Sequence, residues 1–280
     1  MIADLARLTR VKLCLLAAAG AVAGHLLWRA RPDWGMLLTA GGAFLLAAGC
    51  SALNQAQERR RDGAMTRTRL RPLPARRMGL AQVLALALAF VGSGLALLWS
   101  QGGPRPVVLG LTVIVLYNVL YTPLKGLTSF ALLLGGVAGA LPPVLGWLAA
   151  GGPWVDFRVV LVAVLFYLWQ VPHFAFLARL HPEDYRRAGI PLAGLARTER
   201  RGHAPLMAWL ACYCAAMTMV SIFDLVGTPL AKFFLAVLAV GLFLGGMLTL
   251  GRSQLGLRLV NASLLLFLTC MIVDALWLSA

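Results

Sequence analysis

Asn54, Glu58 and Asp62 stand four residues apart at the end of an otherwise apolar segment and run into the basic stretch Arg67, Thr68, Arg69, Leu70, Arg71, Pro72. At about 100° per residue, steps of four place the three on one helix face within roughly 80° of arc, so their oxygens can converge on one cation. Hard oxygen donors beside several arginines, in a chain this hydrophobic, fit a Mg2+-bridged phosphate or diphosphate held at a membrane boundary. A second polar cluster lies further on, where Trp169-Gln170-Val171-Pro172-His173-Phe174 leads to His181, Pro182, Glu183, Asp184, Tyr185, Arg186 and Arg187. Both clusters end an apolar segment in an acidic and basic loop, an approximate repeat that can set two acidic groups across one cavity. Between them Tyr117, Tyr121 and Lys125 recur at four-residue spacing and aim two phenols and an ammonium at one helix end. Such tyrosines also serve as interfacial anchors and such lysines snorkel, so this stripe is either a topology feature or a polar wall that holds a departing phosphate.

The elements that carry these residues follow from composition. The chain is 60% hydrophobic and 12% charged, with a mean hydropathy of +0.83, outside the range of soluble domains. Runs long enough to cross about 30 Å of hydrocarbon occur near residues 11–28, 35–54, 79–99, 106–122, 129–150, 157–179, 204–223, 229–250 and 257–279. The expected fold is an all-α polytopic membrane protein, nine transmembrane helices around a central cavity in a single domain over 1–280. Its long polar loops lie at about 58–77 and 180–203. Gly135, Gly136, Gly139 and Gly146 with Pro142 and Pro143 predict close packing and a broken helix in the fifth span.

Orientation follows from the 25 Lys and Arg residues. With the N terminus cytoplasmic, one side receives Arg7, Arg10, Lys12, the eight arginines from Arg59 to Arg77, Lys125, the six from Arg179 to Arg201, Arg252 and Arg258. The other keeps Arg29, Arg31, Arg105, Arg158 and Lys232. That asymmetry, twenty against five, predicts an odd number of spans with the C terminus outside. The net charge of +15 is therefore largely topology, with some arginines available to an anionic substrate. Nucleic acid is excluded as a partner, because the basic residues sit in short inter-span loops with no recognition module. Cys14, Cys50, Cys212, Cys214 and Cys270 lie in or beside apolar spans without paired loop spacing and read as packing residues, not disulfides or a zinc site. The first apolar stretch reads as a retained helix, since further spans follow it.

The motifs resemble the UbiA superfamily of intramembrane prenyltransferases, and within it the haem-modifying branch. The resemblance rests on Asn54-x-x-x-Glu58-Arg59-x-x-Asp62-x-x-Met65-x-Arg67-Thr68-x-x-Arg71-Pro72-Leu73-Pro74. It rests also on Tyr121-Thr-Pro-Leu-Lys125 with the Gly and Pro run 135–147, and on Trp169-Gln-Val-Pro-His173-Phe174 followed by Asp184-Tyr185-Arg-Arg-Ala-Gly189-Ile-Pro191. Quinone-type members carry an aspartate about where His173 stands. Departures are Arg60 in place of the usual middle aspartate, Arg10-Val11-Lys12 in place of Lys-Pro-Arg, and Gly126-Leu127 in place of a basic pair. No metal role is carried to position 60.

The resemblance implies transfer of a farnesyl group from farnesyl diphosphate to a vinyl group of haem B, with addition of water, giving haem O and diphosphate. It implies Mg2+ held by Asn54, Glu58 and Asp62, and another by Asp184. Diphosphate contacts fall to Arg67, Arg71, Lys125 and Tyr121. His173 is either a hydrogen-bonded interior residue or a group that positions the haem, binds its propionate or moves a proton. His25, His181 and His203, together with Asp4, Asp156, Asp224 and Asp274, read as structural or interfacial residues. The implied setting is a multi-pass protein of the bacterial cytoplasmic membrane, in contact with membrane lipid. Its product would feed a haem A synthase or terminal oxidase pathway. Two rivals remain: a prenyltransferase for a quinone precursor or other aromatic acceptor, and a carrier of an anionic amphiphile, which would have no reason to break the diphosphate bond.

Overall fold

A computed structural model describes residues 2–191 and 200–279, and every regular element among them is helical. Residues 192–199 of the expected second loop lie outside the described residues. A short helix α1 (Ile2–Thr9) precedes α2 (Val11–Arg29), α3 (Trp34–Ala64) and α4 (Leu80–Gly102). The fourth span is α5 (Pro104–Ile114), a π-helical segment (Val115–Tyr121) and one turn, α6 (Thr122–Leu124). The fifth is split into α7 (Ala131–Ala140) and α8 (Pro142–Ala149), and α9 (Phe157–Leu180), α10 (Pro182–Arg187), α11 (Arg200–Ile222), α12 (Pro229–Leu248) and α13 (Ser253–Ser279) complete the chain. Nine of these spans among the described residues are long and apolar enough to cross a bilayer. They match the nine expected, and the chain is an integral membrane protein.

Three departures from the expected boundaries matter for function. First, α3 runs 31 residues, about 46 Å at 1.5 Å per residue, well past the hydrocarbon thickness. Asn54, Glu58 and Asp62 all lie on regular helix rather than in a loop. Second, the π-helical segment carries Tyr117, Asn118 and Tyr121, where the widened turn re-aims side chains as π-bulges do at functional sites. Asn118 Nδ2 locks the segment to α3 by donating to the Cys50 carbonyl at 3.0 Å. Third, α1 escaped the hydropathy reading. It is held by Gln55, whose Nε2 donates to the carbonyls of Arg7 at 2.9 Å and Leu8 at 2.7 Å. The chain then turns from α1 into α2 through Arg10 at φ 55°, a left-handed conformation that costs a non-glycine residue energy. That turn sends the Arg10 side chain into the bundle.

The break in the fifth span falls at Leu141, as the Pro142-Pro143 pair requires, because neither proline can donate to the helix ladder. Glycine lets the broken helix lie directly on α2: a Cβ on Gly24 would run into the Pro143 carbonyl, and one on Gly146 into the Ala21 carbonyl. The main apolar core runs between α9, α11, α12 and α13, through Phe176, Tyr213, Met217 and Phe267, each fully buried. Leu88, Phe233, Val240 and Leu248 point outward, the surface a lipid environment demands. The expected central cavity is present, and six of the spans line it. Its wall comes from α2, α3, the fourth span, α7 with α8, α9 and α13, while α4, α11 and α12 stand behind as buttresses.

Candidate active site

The cavity has a volume of about 1000 Å³, at the upper end for small-molecule sites. Its wall on α3 extends from Ala43 to Asp62, about 28 Å along the helix. Leu46, Leu132, Leu145, Phe166 and Leu264 make one part apolar, and the other gathers six cations, Arg10, Lys12, Arg61, Arg67, Arg71 and Lys125, around two carboxylates, Glu58 and Asp62.

Asn54, Glu58 and Asp62 are all buried on one face of α3. Glu58 Oε2 accepts from Asn54 Nδ2 at 3.1 Å and from the Lys125 ammonium. Asn54 Nδ2 also reaches Thr122 Oγ1 at 3.0 Å, so the amide group is turned toward its neighbours and its carbonyl oxygen is left as an acceptor. Asp62 Oδ2 accepts from Arg71 Nη1 at 2.7 Å, and the Asp62 carbonyl caps the Thr68 hydroxyl at 2.9 Å. Glu58 Oε1 is buried without a hydrogen bond, and Arg61 Nη1 lies 3.9 Å away. An orphaned buried carboxylate oxygen is costly unless something completes it. Among the described residues no three His, Cys, Asp or Glu side chains are gathered around one point, so there is no closed protein cage. One or two carboxylates and an amide oxygen, with water and phosphate oxygens filling the remaining positions, is how Mg2+ is commonly held. The residues fit that ion at Asn54, Glu58 and Asp62.

Asp184 does not join them. Its Oδ1 accepts the Thr66 amide at 2.8 Å and its Oδ2 the Arg67 amide at 3.1 Å, and it is not among the cavity-lining residues. Both oxygens thus contact the backbone of the first loop, so the second cluster holds that loop in place. Burial pushes the Asp184 carboxyl up, but amide donation from Thr66 and Arg67 outweighs it, and its pKa ends below the ordinary carboxylate value. Glu183 is exposed and pairs with Arg186 at 2.5 Å, an ordinary surface contact.

Tyr121, Tyr117 and Lys125 do share one face. The two rings lie 5.4 Å apart and the Lys125 ammonium sits 5.6 Å from the Tyr121 ring centre. Burial lowers the Lys125 pKa, against which the Glu58 carboxylate works. Gly135 makes room for Tyr121, since a Cβ there would come 2.7 Å from the ring. Arg67 and Arg71 reach the cavity wall from a chain of turns after α3.

His173 lies on the other wall, stacked 4.8 Å from the Trp169 ring, with Nδ1 2.7 Å from Asn261 Oδ1 on α13. Because an amide oxygen only accepts, that contact assigns the proton to Nδ1 and leaves Nε2 with its lone pair. Trp169 Nε1 donates to the adjacent Val260 carbonyl at 2.8 Å, so α9 and α13 are fastened at two successive residues. Sequence reasoning missed Asn261 and treated Arg10 as topology. The signal for Asn261 was an uncharged amide isolated inside the apolar run 257–279. For Arg10, whose Nη1 donates to the Tyr117 hydroxyl at 3.3 Å, no signal separated it from its basic neighbours.

A basic mouth over an apolar cavity, on a bundle of nine spans among the described residues, has counterparts among known proteins. The model of the UbiA prenyltransferase family matches residues 13–275. The chain belongs to this family. It is 45% identical over 232 residues to the protoheme IX farnesyltransferase of Geobacter sulfurreducens, covering 82% of this chain and 85% of that one. With the protoheme IX farnesyltransferase of Nitratidesulfovibrio vulgaris it shares 37% identity over 275 residues, 98% of this chain and 96% of the other. Among solved structures, a UbiA homologue from Archaeoglobus fulgidus bound to DMAPP and Mg2+ superposes with a TM-score of 0.72 over 97% of this chain and 99% of that one at 14% identity. At that identity the likeness shows the fold. The UbiA family assignment makes the cavity the candidate active site of a prenyltransferase.

Proposed function

We propose that the protein is a protoheme IX farnesyltransferase of the bacterial cytoplasmic membrane, transferring the farnesyl group of farnesyl diphosphate to a vinyl group of haem B, with water, to give haem O and diphosphate. The observation that carries this reading is one cavity with a mouth of six cations and two carboxylates, an apolar interior, and a histidine fixed on the far wall. Relatives at 37–45% identity over most of the chain carry that name.

The residues divide the work. Arg67 and Arg71 bind the diphosphate, Arg being suited to bidentate contact with phosphate oxygens, and Lys125 adds a point charge from the fourth span. Asn54, Glu58 and Asp62 would hold Mg2+. The chemistry such an ion supplies when bound is Lewis-acid neutralisation of the charge that develops as the diphosphate leaves. Leu46, Leu132, Phe166 and Leu264 surround the prenyl chain and keep water from the allylic fragment until the vinyl carbon attacks. Tyr121 and Tyr117 line that path, where an electron-rich π surface steadies positive charge. His173, with Nδ1 occupied by Asn261, offers Nε2 to the haem, as a hydrogen-bond acceptor or to take the proton that water releases when it adds to the new cation. With the polar mouth on the cytoplasmic side, the water-soluble product, diphosphate, leaves where the farnesyl diphosphate headgroup entered, and the apolar haem O leaves into lipid.

The test is incubation of purified protein in detergent with haem B, farnesyl diphosphate and Mg2+, against a no-metal control, with pigment masses followed by liquid chromatography and mass spectrometry. A Mg2+-dependent pigment heavier by one farnesyl group and one water is expected. Prenylation of an added aromatic acid without a haem product would move the chain to another acceptor class, and neither product, with the diphosphate left intact, would return the carrier reading.

A further inference from the structure

A second cleft of about 490 Å³ lies outside the cavity, between the last turn of α9 and the start of α13. Its lining includes Arg179, Leu180, Arg252, Leu255 and Arg258. Arg252 just before α13 and Arg258 on it, both exposed, line it beside the buried Arg179 of α9, and among the described residues no acid does. The cleft is amphiphilic, since Leu180 and Leu255 are 36% and 42% exposed beside the guanidinium groups. It sits at the end of two membrane spans, where an acyl chain can follow the apolar rim while a headgroup meets the arginines.

We propose that this cleft binds a phosphate-bearing anion, with the headgroup of an anionic phospholipid as the source that its place at the membrane surface supplies. Guanidinium groups present paired donors that match phosphate oxygens, and basic pockets between spans are where anionic headgroups are taken up. The site bridges α9 and α13, the two helices joined within the cavity wall by Trp169 with Val260 and His173 with Asn261. A bound headgroup would therefore brace that wall from outside. The inference does not depend on which acceptor the enzyme prenylates.

The experiment is native mass spectrometry of the purified full chain in detergent, exchanged into phosphatidylglycerol or phosphatidylcholine, with the double variant Arg252→Gln/Arg258→Gln beside the wild type and Arg31→Gln/Arg105→Gln as a control. The wild type and the control should retain one phosphatidylglycerol under conditions that strip phosphatidylcholine. Loss of two arginines near a surface should weaken that retention roughly 30-fold. Equal retention by the Arg252/Arg258 variant would overturn the proposal. Because that variant could be misfolded, the wild type is also titrated alone, following its unfolding temperature. Stabilisation by phosphatidylglycerol above phosphatidylcholine is expected, insensitive to millimolar inorganic phosphate. If inorganic phosphate abolishes the difference, the occupant is a soluble phosphate and the lipid assignment falls.

Discussion

Replacing Asp184 by Asn separates two jobs that one carboxylate can do. In the structure both oxygens accept backbone amides, from Thr66 at 2.8 Å and Arg67 at 3.1 Å. An Asn side chain keeps one acceptor and turns an NH2 group toward the other amide, so one charge-assisted hydrogen bond is lost and the remaining one becomes neutral. Hydrogen bonds to charged groups contribute about 1.5–3 kcal/mol each, and 1.4 kcal/mol is a factor of ten. If that loss falls on the order of the turn carrying Arg67 and Arg71, the KM for farnesyl diphosphate should rise about 10- to 150-fold, worked from the same constants. The Mg2+ concentration for half-maximal rate should stay where it is. The assay is initial-rate haem O formation as a matrix of farnesyl diphosphate and Mg2+ concentrations. A large rise in the Mg2+ requirement with KM unchanged would refute the loop-holding argument and restore Asp184 as a metal ligand. The pH dependence has a sign as well. Because the folded carboxyl lies below its ordinary value, its contribution is complete above about pH 4 and is lost as pH falls through the lower folded pKa. The Asn variant should lack this acid-dependent loss of affinity.

The other expectations concern the cavity wall. Asp62→Asn should lower turnover by about two orders of magnitude, since a metal's Lewis acidity amounts to several kcal/mol; unchanged rate and Mg2+ dependence in a correctly inserted protein would remove Asp62 from the metal site. Lys125→Gln leaves the buried Glu58 carboxylate without its cation and should destabilise the protein by about 3–5 kcal/mol, seen as a lower unfolding temperature in detergent that Mg2+ restores more fully than in the wild type. Asn261→Ala frees the His173 tautomer and should raise the KM for haem B by about tenfold, the worth of one hydrogen bond, with the KM for farnesyl diphosphate unaltered; equal changes in both would mean that the cavity wall has shifted. Gly135→Ala pushes on the Tyr121 ring, and an overpacking cost of about 1–3 kcal/mol should appear as loss of prenyl transfer ahead of any loss of haem binding.

What could be read from the sequence and what could not divide along physical lines. Hydropathy reports the length of an apolar run, so all nine spans were legible, and the proline pair at 142–143 gave the break in the fifth. The same measure ends a helix where polarity begins, which is why α3 was expected to stop at residue 54 although its backbone continues to Ala64. That error was harmless to the site, because the four-residue spacing of Asn54, Glu58 and Asp62 already assumed a helix. The π-helical turn in the fourth span was invisible, since nothing in Val115–Tyr121 differs in polarity from an α-helical stretch; Asn118 and its bond to the Cys50 carbonyl are long-range facts.

Asp184 shows the deeper limit. Its sequence neighbourhood, acidic and basic residues after an apolar segment, is the same as that of Glu58 and Asp62, and the family resemblance implied one task for all of them. The difference lies in what each oxygen faces. Glu58 keeps Oε1 buried with no hydrogen-bond partner, whereas Asp184 has already used both oxygens on amides 118 and 117 residues away. A carboxylate with each oxygen bonded to a backbone amide holds a loop, and one with a buried oxygen left short of a donor is open to a cation. By that distinction the second cluster acts through the first: α10 presents Asp184, Asp184 fixes Thr66 and Arg67, and the turn so fixed brings Arg67 and Arg71 to the mouth that Glu58 and Asp62 line. Two loops far apart in the chain thus form one diphosphate site, with a single carboxylate pair facing the cavity.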